Sequence, residues 1–252
     1  MARKLRKQSK SGIYHVMLRG VNGQVIFQEE KDYEDFLNIV DEYKSVSGYR
    51  VYGYCLMSNH IHLLIKEEKE ELSKVMKKIG IKFVYWYNKK YKRIGPLFQD
   101  RFKSEEVESD GYFLTVLRYI HNNPLKAGIE KELRSYRWSS YNEYIEDENI
   151  CDTSFGLKYF SEDKKEAVKL FKEHHMKAND DKCLDLEEKI VIDDDEAIEI
   201  IKTIASIDKI DEVRNFENVN KEKIIKHMKT QGCSIRQIER VTGISFAFIR
   251  KV

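Results

Sequence analysis

Proline is scarce in this chain of 252 residues, with only Pro96 and Pro124 present. Each falls where a helical pattern is expected to stop, because proline lacks a donor and restrains the residue before it. Cysteine is equally sparse. Cys55, Cys151, Cys183 and Cys233 lie far apart and form no CxxC pair, which excludes a disulfide framework or a zinc-cysteine cluster and fits the reduced thiols of a cytosol. No apolar run approaches the length of a membrane span. The basic opening MARKLRKQSK leads into no signal-peptide core, so a soluble cytoplasmic protein with no membrane partner is expected. Net charge is nearly absent too, at +2 although 35% of residues are charged, so charge has to be read locally. Hydrophobic content of 41% and aromatic content of 12% exclude a disordered chain. The length gives room for one large domain or two modest ones.

What is present reads as alternating strands and helices. The stretch IYHVMLRG after Gly12 is β-prone without clean alternation. KDYEDFLNIVDEYKSV places Tyr33, Phe36, Leu37, Val40 and Tyr43 at helical spacing. RVYGYCLM and HIHLLIK flank a two-residue Ser-Asn turn and predict a hairpin. A helix is expected over about residues 71–92, an extended segment over LFQDRFKSEEVE, and a helix YFLTVLRYIHN capped by Asp110 and ended by Pro124. This order predicts an α+β sandwich of the ferredoxin-like kind with an antiparallel sheet, followed by a mainly helical C-terminal region. The domains expected are residues 1–150, an acidic and partly helical linker at 151–219 containing Asp193-Asp194-Asp195-Glu196, and a helical module at 220–252.

His60 and His62 are one residue apart on the third strand, so their rings share a face while Ile61, Leu63 and Ile65 take the other. Two imidazoles on one rigid strand make a half-site for a divalent cation, and they equally suit a hydrogen-bonded strand pair. On the last helix of this region, Tyr119 and Asn123 are neighbours one turn apart. The Asn123 amide oxygen, near the negative end of the helix dipole, could complete a His-His-amide set, leaving Tyr119 beside the cation. A phenol with a pKa near ~10 is a poor nucleophile at neutral pH unless a positive neighbour or a base assists it. Fifteen tyrosines occur in the chain, and a tyrosine at a core edge gives the same helical spacing.

The blocks GIYHVMLRG, MSNHIHLLI, GPLFQDRFKSEEVE and LRYIHNNPLKAG occur in that order over roughly residues 11–145. Together they resemble the HUH single-tyrosine transposases, most closely the REP-associated tyrosine transposase group of bacteria. The resemblance implies a ferredoxin-like catalytic domain that cleaves and rejoins single-stranded DNA beside hairpins. The 5′ phosphate would become linked to tyrosine and a 3′ hydroxyl would be freed. By the same resemblance Tyr119 is the nucleophile, His60 and His62 are metal ligands, and Asn123 is the amide-bearing third ligand where mobile-element relatives often carry glutamine. The cation implied is Mg2+ or Mn2+. Imidazole softness suits manganese or zinc, while phosphate and an amide oxygen suit magnesium. A bacterial cytoplasmic protein associated with the nucleoid follows, and the sequence leaves monomer and homodimer both open.

Between Lys74 and Lys103 stand ten Lys or Arg against one acid, Asp100, with seven aromatics interleaved. A positive groove with stackable rings serves single-strand binding, although Phe83, Trp86 and Tyr87 also suit a helix core. Arg101 and Lys103 are the candidate phosphate contacts. His15 and Arg19 share the other parity of the first strand and suit core or surface roles, and His121 reads as a bystander. SIRQIERVTGISFAFIRKV resembles a helix-turn-helix, with Ile235, Ile238 and Val241 on a core, Ser245 as a cap, and Arg240, Arg250 and Lys251 toward phosphates. A structural or protein-binding helical module fits it as well. Three functions therefore compete: a tyrosine strand-transferase, a metal-dependent nuclease using water, and a non-catalytic DNA-binding regulator.

Overall fold

The computed structural model describes residues 7–185 and 193–252, and the chain divides into two compact units, Met1–Asp185 and Leu186–Val252. The first six residues of the basic arm and the 186–192 part of the acidic linker lie outside the described residues. Among the described residues no helix is long and apolar enough to cross a membrane, and all four cysteines are free.

The first unit begins β1 (Ile13–Arg19), α1 (Glu30–Ser47), β2 (Arg50–Met57), β3 (His60–Lys66), α2 (Leu72–Lys90), β4 (Lys103–Glu106) and α3 (Asp110–Lys126). The strands form one sheet in the order β2-β3-β1-β4, antiparallel at every pairing. This is the expected α+β ferredoxin-like sandwich. Glu29 and Asp32 close a capping box at the start of α1, and Gly48 ends that helix with φ 63°, a backbone that glycine adopts without penalty.

Both faces of the sheet are covered. On one face Tyr14, Val16, Leu18, Ile61, Leu63 and Ile65 bury against Phe36 and Val40 of α1 and Ile79 and Phe83 of α2. On the other, Ile13, Tyr52 and Leu64 bury against Val116, Leu117 and Ile120 of α3. A doubly covered strand has no solvent side to display in its sequence, which is why β1 lacks clean alternation. The β2–β3 hairpin turns at Ser58-Asn59 with Met57 opposite His60, and β2 carries an irregularity between Val51 and Gly53.

Two boundaries differ from expectation. Helix α3 is capped by Ser109, whose side chain accepts from the Tyr112 N–H, while Asp110 lies inside the first turn. Pro124 also lies inside the helix, which continues to Lys126. The proline forfeits only its own donor, since Ala127 N–H still reaches Asn123 O at 2.9 Å and Ile129 N–H reaches Pro124 O at 2.9 Å. Asn123 therefore keeps helical geometry.

The expected boundary near residue 150 falls inside the first unit. After α4 (Tyr141–Ile145), helices α5 (Thr153–Leu157) and α6 (Lys164–Met176) follow. Leu157, Ala167 and Phe171 bury in the same cluster as α3. A polar ladder joins these pieces: His175 Nδ1 lies 2.9 Å from Phe171 O, His175 Nε2 lies 2.9 Å from His121 Nδ1, and His121 Nε2 lies 2.8 Å from Ser140 Oγ. Because a carbonyl only accepts, His175 carries its proton on Nδ1, His121 on Nδ1, and Ser140 donates. His121 is thus a structural strut between helices. The second unit holds α7 (Asp194–Ala205), α8 (Asn218–Thr230), α9 (Ile235–Thr242) and α10 (Phe246–Lys251) around Ile201, Ile225, Met228, Ile238 and Ile249.

The ladder makes stability depend on pH. Burial lowers the His121 pKa to about 3 and holds His175 well below the ordinary histidine value, with His121 adding to the effect. Below pH ~6.5 the unfolded chain binds more protons at these positions than the folded one. Their stabilisation is therefore complete above that pH and is lost as pH falls toward about 3. The urea midpoint should drop from pH 7.5 to pH 5, and less steeply in His121→Gln. Equal midpoints at the two pH values would contradict the ladder.

Candidate active site

The pleat of β3 carries His60 and His62 onto the α3 face, with Ile61, Leu63 and Ile65 anchoring the opposite one. Their ring centroids are 5.1 Å apart. Asn59, in the hairpin turn, accepts a hydrogen bond from His60 Nδ1 at 2.7 Å, which leaves His60 Nε2 as the lone-pair nitrogen. His62 is fully buried, and its Nδ1 lies 2.9 Å from Nε2 of His15 on β1. Its Nε2 is buried with no partner, as is His15 Nδ1.

Helix α3 brings Tyr119 to the same place. It lies 5.8 Å from the His62 ring and 5.9 Å from the His15 ring, both edge-on. The position of α3 is set by Gly53 on β2, where a Cβ would stand 2.8 Å from Leu117 Cδ1. Lys126 Nζ stands 4.7 Å over the Tyr119 ring. Asn123 donates from Nδ2 to Tyr119 O at 3.1 Å, and its amide also interacts with the His60 ring and the Tyr119 hydroxyl. The phenol is 3% exposed but faces the imidazoles, and Asp185 is near enough to help raise its pKa.

The electrostatics follow from burial. Desolvation, then Asp185, push the Tyr119 pKa far above the ordinary phenol value, so the hydroxyl is protonated at neutral pH. Desolvation lowers His60, opposed by Asn123 and Asp185, and holds His62 well below its ordinary value with help from His15 and His60. Both imidazoles are therefore neutral, the state in which they ligate metals. Among the described residues no group of three or more His, Cys, Asp or Glu is arranged to hold a metal. The donor set here is different in kind: two neutral imidazoles and one amide. The bare, buried Nε2 of His62 fits a divalent cation better than a closed core.

The four residues expected to form the site, His60, His62, Tyr119 and Asn123, thus converge. Lys103, opposite Met17 on β4, shares the sheet face of His62 and is exposed, and Arg101 is exposed just before β4. Most of the basic, aromatic stretch goes elsewhere. Helix α2 packs on the opposite sheet face, with Phe83 and Tyr87 buried, and Lys78, Lys82 and Lys90 are paired with Glu70, Glu42 and Asp32. In the second unit Arg240 forms a two-pronged ion pair with Asp194 at 2.6 Å, while Arg250 and Lys251 are exposed. Ser245 makes no side-chain cap; Glu239 accepts from the Phe246 N–H at 2.9 Å instead. Two further residues border the site: His15, which the sequence places either near it or in a core or surface role, and Asp185, which was missed. His15 had a legible signal, since it shares the parity of Met17, which pairs with His62. Asp185 had none, because it lies far along the chain in an acidic stretch.

Comparison with known proteins agrees with this geometry. Residues 8–123 match the family described as transposase, IS200-like. Over those residues, somewhat less than half of its length, the chain is similar to that family. The match contains β1 through the Asn123 turn of α3, and so every strand and all four converging side chains. The fold is that of a solved REP-associated tyrosine transposase bound to a REP hairpin, with TM-score 0.51 and 16% identity over 57% of this chain and 86% of that one. No curated protein matches the chain.

Placement of helix α3, which carries Tyr119, can be perturbed from β2. In Gly53→Ala the new methyl meets Leu117 Cδ1 at 2.8 Å within a closed core, an overpacking that costs about 1–3 kcal/mol. A drop in thermal midpoint with loss of DNA processing is expected. Unchanged values for both would show that α3 is not held by this contact.

Proposed function

We propose that the chain is a DNA strand-transferase that cuts and rejoins single-stranded DNA beside hairpins through a covalent link to Tyr119. The observation that carries this reading is the convergence of the Tyr119 hydroxyl, the bare His62 nitrogen and the His60–Asn123 pair at one point on the sheet. Tyr119 Oη attacks the scissile phosphorus, forming a P–O bond to tyrosine while the bond to the 3′ oxygen breaks, and the departing oxygen takes a proton from solvent water to become a 3′ hydroxyl. The phenol proton passes to the nearby Asp185 carboxylate. Neutralised in this way, Asp185 no longer repels the phosphate. Because the tyrosyl phosphodiester resembles the bond broken, reversal rejoins DNA without a nucleotide cofactor.

His60 and His62, through their lone-pair nitrogens, and Asn123, through its amide oxygen, would hold a divalent cation, Mg2+ or Mn2+. Bound there, it supplies Lewis-acid neutralisation of phosphate charge. Lys126 over the phenol ring adds a fixed positive charge, and the exposed Lys103 and Arg101 suit the approaching strand. A hairpin substrate is favoured by the likeness to a hairpin-bound transposase. In the second unit, the helix pair α9 and α10 turns at Gly243 with φ 68° and presents Arg250 and Lys251, an arrangement suited to duplex phosphates.

The test is a denaturing gel of the protein with labelled hairpin-bearing single strands and Mn2+. A covalent adduct should form, and it should vanish in Tyr119→Phe and with EDTA. Cleavage that persists in Tyr119→Phe without an adduct would establish a water-using nuclease. Binding without cleavage in either protein would establish a regulator.

A further inference from the structure

We propose that His15 is a positioning residue that sets the tautomer of His62 and thereby creates its cation-binding nitrogen. The inference deepens the metal reading above and rests on it.

The protein contains two buried histidine pairs of the same spacing, and they are finished differently. In the pair His121–His175 the facing nitrogens are 2.9 Å apart, and the outer nitrogens end on Ser140 Oγ and Phe171 O. Every ring nitrogen of that pair is satisfied, as a core pair requires. In the pair His15–His62 the contact is again 2.9 Å, between His15 Nε2 and His62 Nδ1. Both outer nitrogens, His15 Nδ1 and His62 Nε2, are buried and bare. Both residues are 0% exposed, so water does not finish the pair from outside.

Two neutral tautomers satisfy the shared contact. If His15 Nε2–H donates, His62 accepts at Nδ1 and carries its single ring proton on Nε2, leaving a buried N–H with no acceptor. If His62 Nδ1–H donates, its Nε2 holds a lone pair and His15 carries its own proton on Nδ1. Only the second arrangement gives the bare His62 atom a use, and only for a cation. His15 then plays the role that a carbonyl or carboxylate plays behind many metal-bound histidines. Its place on β1, one strand from His62 and 5.9 Å from the Tyr119 ring, also fixes the spacing between ligand and nucleophile. His15 touches neither cation nor DNA in this account.

The experiment is a Mn2+ titration of the full chain followed by electron paramagnetic resonance, with wild type, His60→Ala, His15→Phe and His15→Gln compared. Wild type should bind and His60→Ala should not. His15→Phe keeps ring volume but offers no acceptor, and should bind about 10- to 100-fold more weakly. His15→Gln restores an acceptor near the place of Nε2 and should recover most of the affinity. Equal affinity in wild type and His15→Phe would overturn the role of His15 while leaving the metal site standing. No His60-dependent binding in wild type would instead overturn the metal reading and this inference with it. Should His15→Phe fail to fold, the imidazole nitrogen resonances of wild type with Mg2+ decide. They should show His62 protonated on Nδ1 and bare on Nε2, and the reverse pattern would overturn the proposal.

Discussion

The structure depends on the period-two pleat of β3. Ile61, Leu63 and Ile65 lock one side of that strand into the α1/α2 core, and this leaves His60 and His62 no choice but to face α3. A slip of one residue would exchange the two sets. It would bury two imidazoles among the hydrocarbons of the α1/α2 core and turn three aliphatic chains toward α3. The apolar half of the strand therefore enforces the position of the polar half. The cost is an unsatisfied nitrogen on His62, a group that natural cores seldom leave bare, at about 1–3 kcal/mol.

The remainder of the first unit holds α3 against that strand. Tyr54 OH and three backbone N–H groups, of Asn149, Ile150 and Cys151, converge on the Glu143 carboxylate, which ties the chain after α4 to the sheet. Arg118 forms a two-pronged pair with Asp181 at 2.7 Å, with both side chains mostly buried. That pair aligns the chain ahead of Asp185 along the tyrosine helix. Leu184 N–H then donates to Glu105 of β4 at 3.0 Å. Removing either member of the Arg118–Asp181 pair would leave a desolvated charge, so the pairing is stringent even where its net contribution is small.

Features encoded locally were legible in the sequence. The hairpin turn at Ser58-Asn59, the helical spacing of α1 and the shared face of His60 and His62 all follow from periods of 3.6 and 2. Tyr119 and Asn123 lay one turn apart in the sequence, and they do so in the fold. Features set by distant partners were not legible. Pro124 reads as a helix stop, yet packing carries the helix past it. The basic stripe of α2 reads as a DNA surface, but Glu42, Glu70 and Asp32 claim three of its lysines, and the sheet stands between it and the site. Residues after 150 read as a partly helical linker because the stretch is polar and rich in acids. Their apolar positions bury only because α3 supplies the complementary face. The sequence resemblance carried the joining of tyrosine to histidines, which spacing alone left undecided.

Burial also explains how one site can hold so polar a cluster and stay inert until it is assembled with its substrate. The phenol and both imidazoles of the cluster are held in their neutral forms. Desolvation raises the phenol and lowers the imidazoles, so the two kinds of shift act together to remove charge. A phenol beside a carboxylate has no incentive to ionise, and neutral imidazoles offer it no positive partner. In the reading proposed above, the lone pairs of His60 and His62 that burial keeps unprotonated would hold a divalent cation, whose charge would offset the burial that opposes the oxyanion. The same low-dielectric setting that suppresses the nucleophile in isolation strengthens such attraction when a charge arrives. The hydrophobic sandwich around β3 and α3 extends the neutral range of the imidazoles to lower pH and that of the phenol to higher pH than solvent-exposed side chains would have.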